Sequence, residues 1–213
     1  MKDIALFGAG GFGREVACLI NMINEVTPTW NLVGFFDDGK PVGEDVTYGK
    51  VLGGIEELNQ WKTELALAIP VATPETLKSI IDKINNPLVY FPNLIAPDVL
   101  FFDKNNTKIG KGNIITSRCL FSTNVSLGDF NLFNCGVLVG HDTVMGNCNV
   151  TMSSVNISGG IMIGDCNFFG VQSVLLQYIK VGSHTRVAAN SVVIRNTKDG
   201  NLYVGNPATK VKL

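Results

Sequence analysis

Apolar residues recur along the chain in two different rhythms. Up to about residue 90, short apolar runs alternate with helical stripes. Residues 4–7 predict a buried strand, and Val16, Leu19, Ile20 and Ile23, at i, i+3, i+4 and i+7, predict one face of a helix. Residues 32–36 predict a second strand ending at Asp37-Asp38-Gly39, residues 55–61 a helix, and residues 65–69 a third strand. Thr73-Pro74-Glu75 has the form of an N-cap with proline at the first helical position, followed by the stripe Leu77, Ile80, Ile81, Ile84. Residues 88–91 predict a fourth strand, and Pro87, Pro92 and Pro97 mark the exit. Such alternation implies βαβ units and a parallel sheet.

From Ile109 the rhythm becomes six. Every sixth residue through Val193 is apolar except Thr151, and the residue after it is commonly glycine or another small one. A period of six fits neither an amphipathic helix nor an alternating strand. It fits a solenoid whose coil is a triangle with one hexad per side, giving three flat parallel sheets with the apolar residue inside. The unbroken register predicts a continuous parallel β-helix over about residues 109–193 with no long ejected loop. A β-sandwich of short strands would not hold fifteen hexads in one register. Asn113, Asn131, Asn149 and Asn167 suit tight corners or ladders. The chain thus divides into an α/β domain, residues 1–92, and a β-helix domain, residues 93–213.

Composition narrows the function. Charged residues are 16% of the 213, and the formal charge is −1, so there is no electrostatic footprint for nucleic acid or an anionic membrane. No apolar run approaches the roughly 18 residues of a membrane span, and the N-terminal apolar stretch is cut by glycines and Arg14-Glu15, unlike a secretory leader. The five cysteines form no CxxC pair and read as buried thiols of a reducing, cytoplasmic compartment; with two histidines in the chain, no metal site is expected.

Acyl transfer to an amine or hydroxyl needs a base near neutral pH, and histidine suits that task. His141 is the third residue of its hexad, at a corner rather than inside, and Asp142 follows it. A solvated corner pair without a role is the alternative. Eighteen residues on, one full coil, Gly159 stacks over His141; a glycine there leaves room for a thioester, and its N–H could donate to an oxyanion. His184 has no acidic neighbour and reads as a surface turn. Cys135 and Cys148 have no base at a readable spacing, which argues against a thiol relay. In the first domain Gly8-x-Gly10-x-x-Gly13 follows a strand and opens a helix, where glycines admit a pyrophosphate to the helix N-terminus. Asp37 and Asp38 end the second strand, where a ribose or base would be read. Alone this suggests a nicotinamide dinucleotide, but a domain of about four strands falls short of the two halves such a site needs. Glycines required only for helix–strand packing are the bland alternative.

The hexads resemble the left-handed β-helix of the hexapeptide acyltransferases. With Gly8-Ala9-Gly10-Gly11-Phe12-Gly13-Arg14-Glu15-Val16, Gly34-Phe35-Phe36-Asp37-Asp38, Val51-Leu52-Gly53-Gly54, Gly140-His141-Asp142 and Val204-Gly205-Asn206-Pro207-Ala208, the chain resembles the sugar O- and N-acetyltransferases of that family. The resemblance implies a left-handed coil, acetyl-CoA as cosubstrate, a nucleotide-sugar acceptor, and a homotrimer with the coenzyme between adjacent prisms. It implies that His141 is the base, oriented by Asp142, and that the Gly159 and Ala189 backbone N–H groups hold the acyl carbonyl and the pantetheine arm. It places Asn134, the loop residues Gly8, Gly10, Gly11, Phe12 and Gly13, the acids Asp37 and Asp38, and Gly53-Gly54 around the acceptor. Two positions depart from the family pattern: Phe12 and Val150 stand where histidines are common, at the nucleotide sugar and the coenzyme respectively. They encourage a second reading, a catalytically silent nucleotide-sugar-binding or scaffold protein; an oxidoreductase built on the glycine motif is the third.

Overall fold

The structure is a computed structural model that describes residues 1–211. Residues 4–7, 34–36 and 65–68 of its first sheet are buried because both faces are covered there. In chain order the domain comprises β1 (Lys2–Phe7), α1 (Gly11–Val26), β2 (Trp30–Phe36), β3 (Asp45–Val46), β4 (Gly49–Gly53), α2 (Ile55–Asn59), β5 (Leu65–Ala68), α3 (Pro74–Lys83) and β6 (Val89–Tyr90). The sheet order is β3-β4-β2-β1-β5-β6, parallel except for the β3–β4 hairpin. That hairpin takes the sheet to six strands, where the apolar pattern predicts about four; β3 is two residues long and leaves no period to read. Pro74 opens α3 as expected, but the Thr73 side chain makes no capping hydrogen bond.

The β-helix starts a coil earlier than residue 109. Leu94–Ile95 and Leu100–Phe101 already pair in parallel with Ile114–Ile115 and Leu120–Phe121. The step from Phe101 to Ile109 is eight residues, not six, so counting back from Val193 passes over the first coil. From Ile109 onward every expected inward position lies on a two-residue strand, paired with a strand one coil before or after it. Inside, Phe101 stacks on Phe121 at 5.0 Å and Phe121 meets Phe133 edge-on at 5.2 Å. Thr151 is fully buried among these side chains with its hydroxyl unpaired.

Each corner turns at the fourth residue of its hexad. Eleven non-glycine residues from Arg118 to Asn190 hold φ between 54° and 62° there, His184 among them. The asparagines singled out by their phase stand one residue later and are not left-handed. They are buried and form a ladder: Asn131, Asn149 and Asn167 each donate backbone N–H and Nδ2 to the Oδ1 of the asparagine one coil before, at 2.9–3.1 Å. The five cysteines are free; Cys119, Cys148 and Cys166 are buried as expected, whereas Cys18 and Cys135 are only half-buried.

The α/β domain sits on one solenoid face and one corner. Outward residues Leu94, Ile114, Leu132 and Val150 are buried, and Leu94 and Ile114 share a core with α1. Phe130, Cys148 and Cys166 on the adjoining corner pack with Leu77 and Ile80 of α3. The other two faces stay open, with Leu100 and Leu138 exposed on one and Val144 and Met162 on the other.

Candidate active site

His141 precedes the left-handed residue Asp142 (φ 56°), and both side chains are exposed at the corner. Nδ1 of His141 lies 2.8 Å from Asp142 Oδ2. A carboxylate only accepts, so this contact assigns the proton to Nδ1 and leaves a free lone pair on Nε2. Asp142 Oδ1 accepts a second hydrogen bond, from Asn124 Nδ2 at 2.7 Å, one coil before. The Asn124 amide first, and His141 second, hold the Asp142 carboxyl below the usual carboxylate range. One coil on, Gly159 lies against the imidazole: a Cβ there would come 2.4 Å from Nε2 and 2.6 Å from Cε1. Any side chain at 159 would displace the ring. Gly159 is itself buried, and its N–H has no hydrogen-bond partner among the described residues. Gly140 keeps that N–H uncovered, since a Cβ on Gly140 would sit 2.5 Å from Gly159 N. A proton acceptor and an unsatisfied donor thus stand side by side on a rigid corner.

The glycine loop is built differently. Gly13 is held to glycine by packing, because a Cβ there would lie 2.0 Å from Gly8 O, and Gly8 itself needs φ 124°. Gly10 and Gly11 are open, and the first turn of α1 carries no acid, so the N-terminus of the 16-residue helix faces outward uncompensated. The packing and binding readings of the motif therefore fall on different glycines. Asp37 Oδ2 accepts from Ala9 N–H at 2.8 Å and Oδ1 from Gly39 N–H at 2.9 Å, fastening β2 to the loop. Asp38 Oδ1 accepts from Ile55 N–H at 2.8 Å, and Glu57 Oε2 from Gly54 N–H at 2.7 Å. Gly53, at φ 150°, leaves the space that the Glu57 side chain fills. Asp37, Asp38, Gly54, Ile55 and Glu57 border a cavity of about 480 Å³.

The family model of the PglD N-terminal domain matches residues 3–84. The first domain is thus similar to the PglD N-terminal domain. Over its whole length the chain has the fold of hexapeptide-repeat sugar N-acetyltransferases, left-handed β-helix included. The acetyltransferase domain of PglB from Neisseria gonorrhoeae FA1090, in complex with acetyl coenzyme A, is 26% identical with a TM-score of 0.88, covering 99% of each chain. WeeI from Acinetobacter baumannii AYE is 23% identical over 99% of this chain and 100% of its own, with a TM-score of 0.87. A point mutant of perosamine N-acetyltransferase from Caulobacter crescentus, in complex with CoA and GDP-perosamine, is 20% identical over 100% of this chain and 98% of its own, with a TM-score of 0.87. No curated protein sequence matches the chain significantly.

The remaining expected site residues are dispersed. Asn134 lies on the corner before His141, in a cleft of about 190 Å³ between the solenoid and α1 of the first domain, with Glu15, Cys18 and Ser117. Its Oδ1 accepts from Cys135 N–H at 2.7 Å. Ala189 is exposed on that same corner, its N–H without a partner among the described residues. One chain therefore does not bring Asn134 and Ala189 to the corner of His141 and Gly159. Phe12 is half-buried against the core of the first domain. Val150 is fully buried under that domain, so the expected loss of a coenzyme contact there is corrected: no ligand surface exists at this position. Asn124 escaped the sequence reading, although it stands one coil before Asp142 and the eighteen-residue arithmetic could have found it.

Proposed function

We propose that the chain is an acetyl-CoA-dependent acetyltransferase acting on an amino or hydroxyl group of a nucleotide-linked sugar. The observation that carries this is the pairing of the His141 ring, bonded to Asp142 through Nδ1 and open at Nε2, with the Gly159 N–H, unpartnered among the described residues. As the acceptor nitrogen or oxygen attacks the thioester carbonyl, Nε2 takes its proton and the Gly159 N–H donates to the oxyanion. Collapse of the tetrahedral intermediate breaks the C–S bond, and the proton leaves with the coenzyme A thiol. Asp142 fixes the imidazole tautomer and supports the imidazolium, and Asn124 holds Asp142. No acyl-enzyme is required. Burial pushes the Cys119 and Cys148 thiols up to about 12, and the neighbour of Cys135 is the Arg118 guanidinium at 3.1 Å, which cannot act as a base.

The nucleotide diphosphate is assigned to the open N-terminus of α1, with ribose and base toward Asp37, Asp38 and Gly53-Gly54. The acetyl coenzyme A bound by the PglB domain and the GDP-perosamine bound by the Caulobacter crescentus enzyme support the two ligand classes. The working form is a homotrimer. A site that uses Asn134 and Ala189 together with His141 and Gly159 needs corners of two chains facing each other, and the exposed apolar residues Leu100, Leu138, Val144 and Met162 offer faces to bury. Acetyl-CoA and nucleotide sugars are cytoplasmic metabolites, and the reaction is placed there. The test is thiol release from acetyl-CoA across UDP-, GDP- and CMP-linked sugars with free amino or hydroxyl groups. Release with at least one acceptor is expected. Tight binding of a nucleotide sugar without acetyl-CoA binding would favour the silent scaffold.

A further inference from the structure

Tyr178 is 74% exposed, the most exposed aromatic side chain among the described residues. It occupies the left-handed position of its hexad (φ 62°), one coil beyond Gly160 (φ 68°), on the corner that carries His141. Its ring lies across Gly160: a Cβ there would come 2.5 Å from Cδ1 and 2.7 Å from Cε1. The backbone holds the same column together, with Tyr178 N–H donating to Gly159 O at 3.1 Å and Gly160 N–H donating to His141 O at 2.7 Å. Three successive coils of one corner therefore present an imidazole, a glycine pair and an aromatic ring.

The same ring-over-glycine device occurs once more, and there its purpose is visible. Phe130 lies over Gly112 in the same way, with a Cβ at 112 falling 2.5 Å from Cδ1, and its ring is then buried edge-on against Phe91 at 5.0 Å. At Tyr178 the ring is laid down equally flat and nothing in the chain covers it; its hydroxyl has no hydrogen-bond partner among the described residues. A large apolar surface fixed next to an unsatisfied donor is a binding feature rather than a packing one.

We infer that Tyr178 contacts the coenzyme, its ring forming the wall on which the thioester end of the pantetheine arm lies. The inference rests on the acetyltransferase reading above. The acyl carbonyl assigned to the Gly159 N–H continues through sulfur into a neutral, flexible chain of methylenes and amides. Tyr178 stands on the Gly159 side of His141, opposite to Asn124, so the wall adjoins the carbonyl and its sulfur rather than the face that supports Asp142. Methylenes and a thioether-like sulfur gain from an aromatic surface, whereas a diphosphate gains nothing from a neutral ring. Holding the thioester flat sets its carbonyl on the donor before the acceptor attacks.

The experiment compares Tyr178→Ala and Tyr178→Phe with the wild-type protein by titration calorimetry with acetyl-CoA and by steady-state kinetics. Tyr178→Ala should raise Kd and KM for acetyl-CoA about tenfold, with KM for the sugar nucleotide and the thermal midpoint unchanged. Tyr178→Phe should retain wild-type values, because the ring and not the hydroxyl makes the contact. An unchanged KM for acetyl-CoA in Tyr178→Ala overturns the inference, as does a shift that falls on the sugar nucleotide or an equal defect in Tyr178→Phe. Loss of the oligomer with coenzyme affinity intact would make the ring a subunit contact instead. Failure of the acetyltransferase reading shows separately, as a wild-type protein that binds no acetyl-CoA at all.

Discussion

The two domains position their ligand-facing groups in opposite ways. In the β-helix, location follows from the repeat, and the groups available to a ligand are ones the repeat leaves unused: His141 Nε2 and the Gly159 N–H on one corner. In the α/β domain the conspicuous acids are already occupied. Asp37 fastens Ala9 and Gly39, Asp38 caps Ile55, and Glu57 reaches Gly54. What remains for a ligand there is the open start of α1 and the second lone pairs of the same carboxylates. A functional residue of the solenoid can be removed without touching the fold, whereas in the α/β domain binding residue and staple coincide.

The sharpest way to break that comparison is His141→Ala. The side chain is about half exposed and its ring supports no core contact, so kcat should fall by about 10² to 10⁴ while coenzyme affinity and thermal midpoint stay near wild type. Turnover that survives on the true acceptor would mean that another group takes the proton. The second test concerns the part of the solenoid that does carry stability. Asn149→Ala would leave the N–H and Nδ2 of Asn167 without their acceptor in a buried column and remove one of the two donors to Asn131 Oδ1, the backbone N–H of residue 149 remaining, at a cost of about 3 kcal/mol. Asn124→Ala, an exposed asparagine on a corner, should change stability by less than about 0.5 kcal/mol. Equal thermal shifts for the two would show that the ladder does not bear the load assigned to it.

The same contrast explains what the sequence revealed. The period of six is a local property repeated many times, so the inward positions, the coil length and the stacking of Gly159 on His141 could all be counted. The count failed only where two extra residues between Phe101 and Ile109 broke the step and hid the first coil. Burial of Val150 was not legible either, because it depends on which solenoid face the first domain covers. In that domain the β3–β4 hairpin and the bonding of Asp37 depend on pairings far apart in sequence, such as Ala9 with Asp37. A glycine motif alone could not tell Gly13, closed against Gly8 O, from Gly10 and Gly11, which are open.

A smaller effect is expected from Asp37→Ala. The sugar nucleotide should bind about tenfold more weakly, from one lost charge-assisted hydrogen bond and a loosened Ala9–Gly11 loop, with acetyl-CoA affinity unchanged in calorimetry. Equal loss of both affinities in a folded protein would show that the ligands are not divided between the domains. Gly13→Val is unsuitable for this purpose, since its Cβ would collide with Gly8 O and disturb the fold itself.

The smallest effect belongs to Asp142→Asn. The substituted amide can still offer its single oxygen to His141 Nδ1–H, provided that Asn124 turns its own amide to accept from the new NH₂ group, so orientation of the base is kept and only the charge is lost. A decrease in kcat of about threefold to tenfold follows, well below that of His141→Ala. The pH profile separates the two roles. Because Asn124 and His141 depress the Asp142 carboxyl, Asp142 stays ionised at pH values where an ordinary carboxylate begins to protonate. Its bonds contribute at neutral pH and are lost only as the pH falls through that depressed value. The Asp142 contribution in the wild-type protein should therefore persist through the ordinary carboxylate range and disappear only below it, and Asp142→Asn should lack that step. An Asp142→Asn protein whose kcat equals the wild type at neutral pH would show that Asp142 does not act on the imidazole at all.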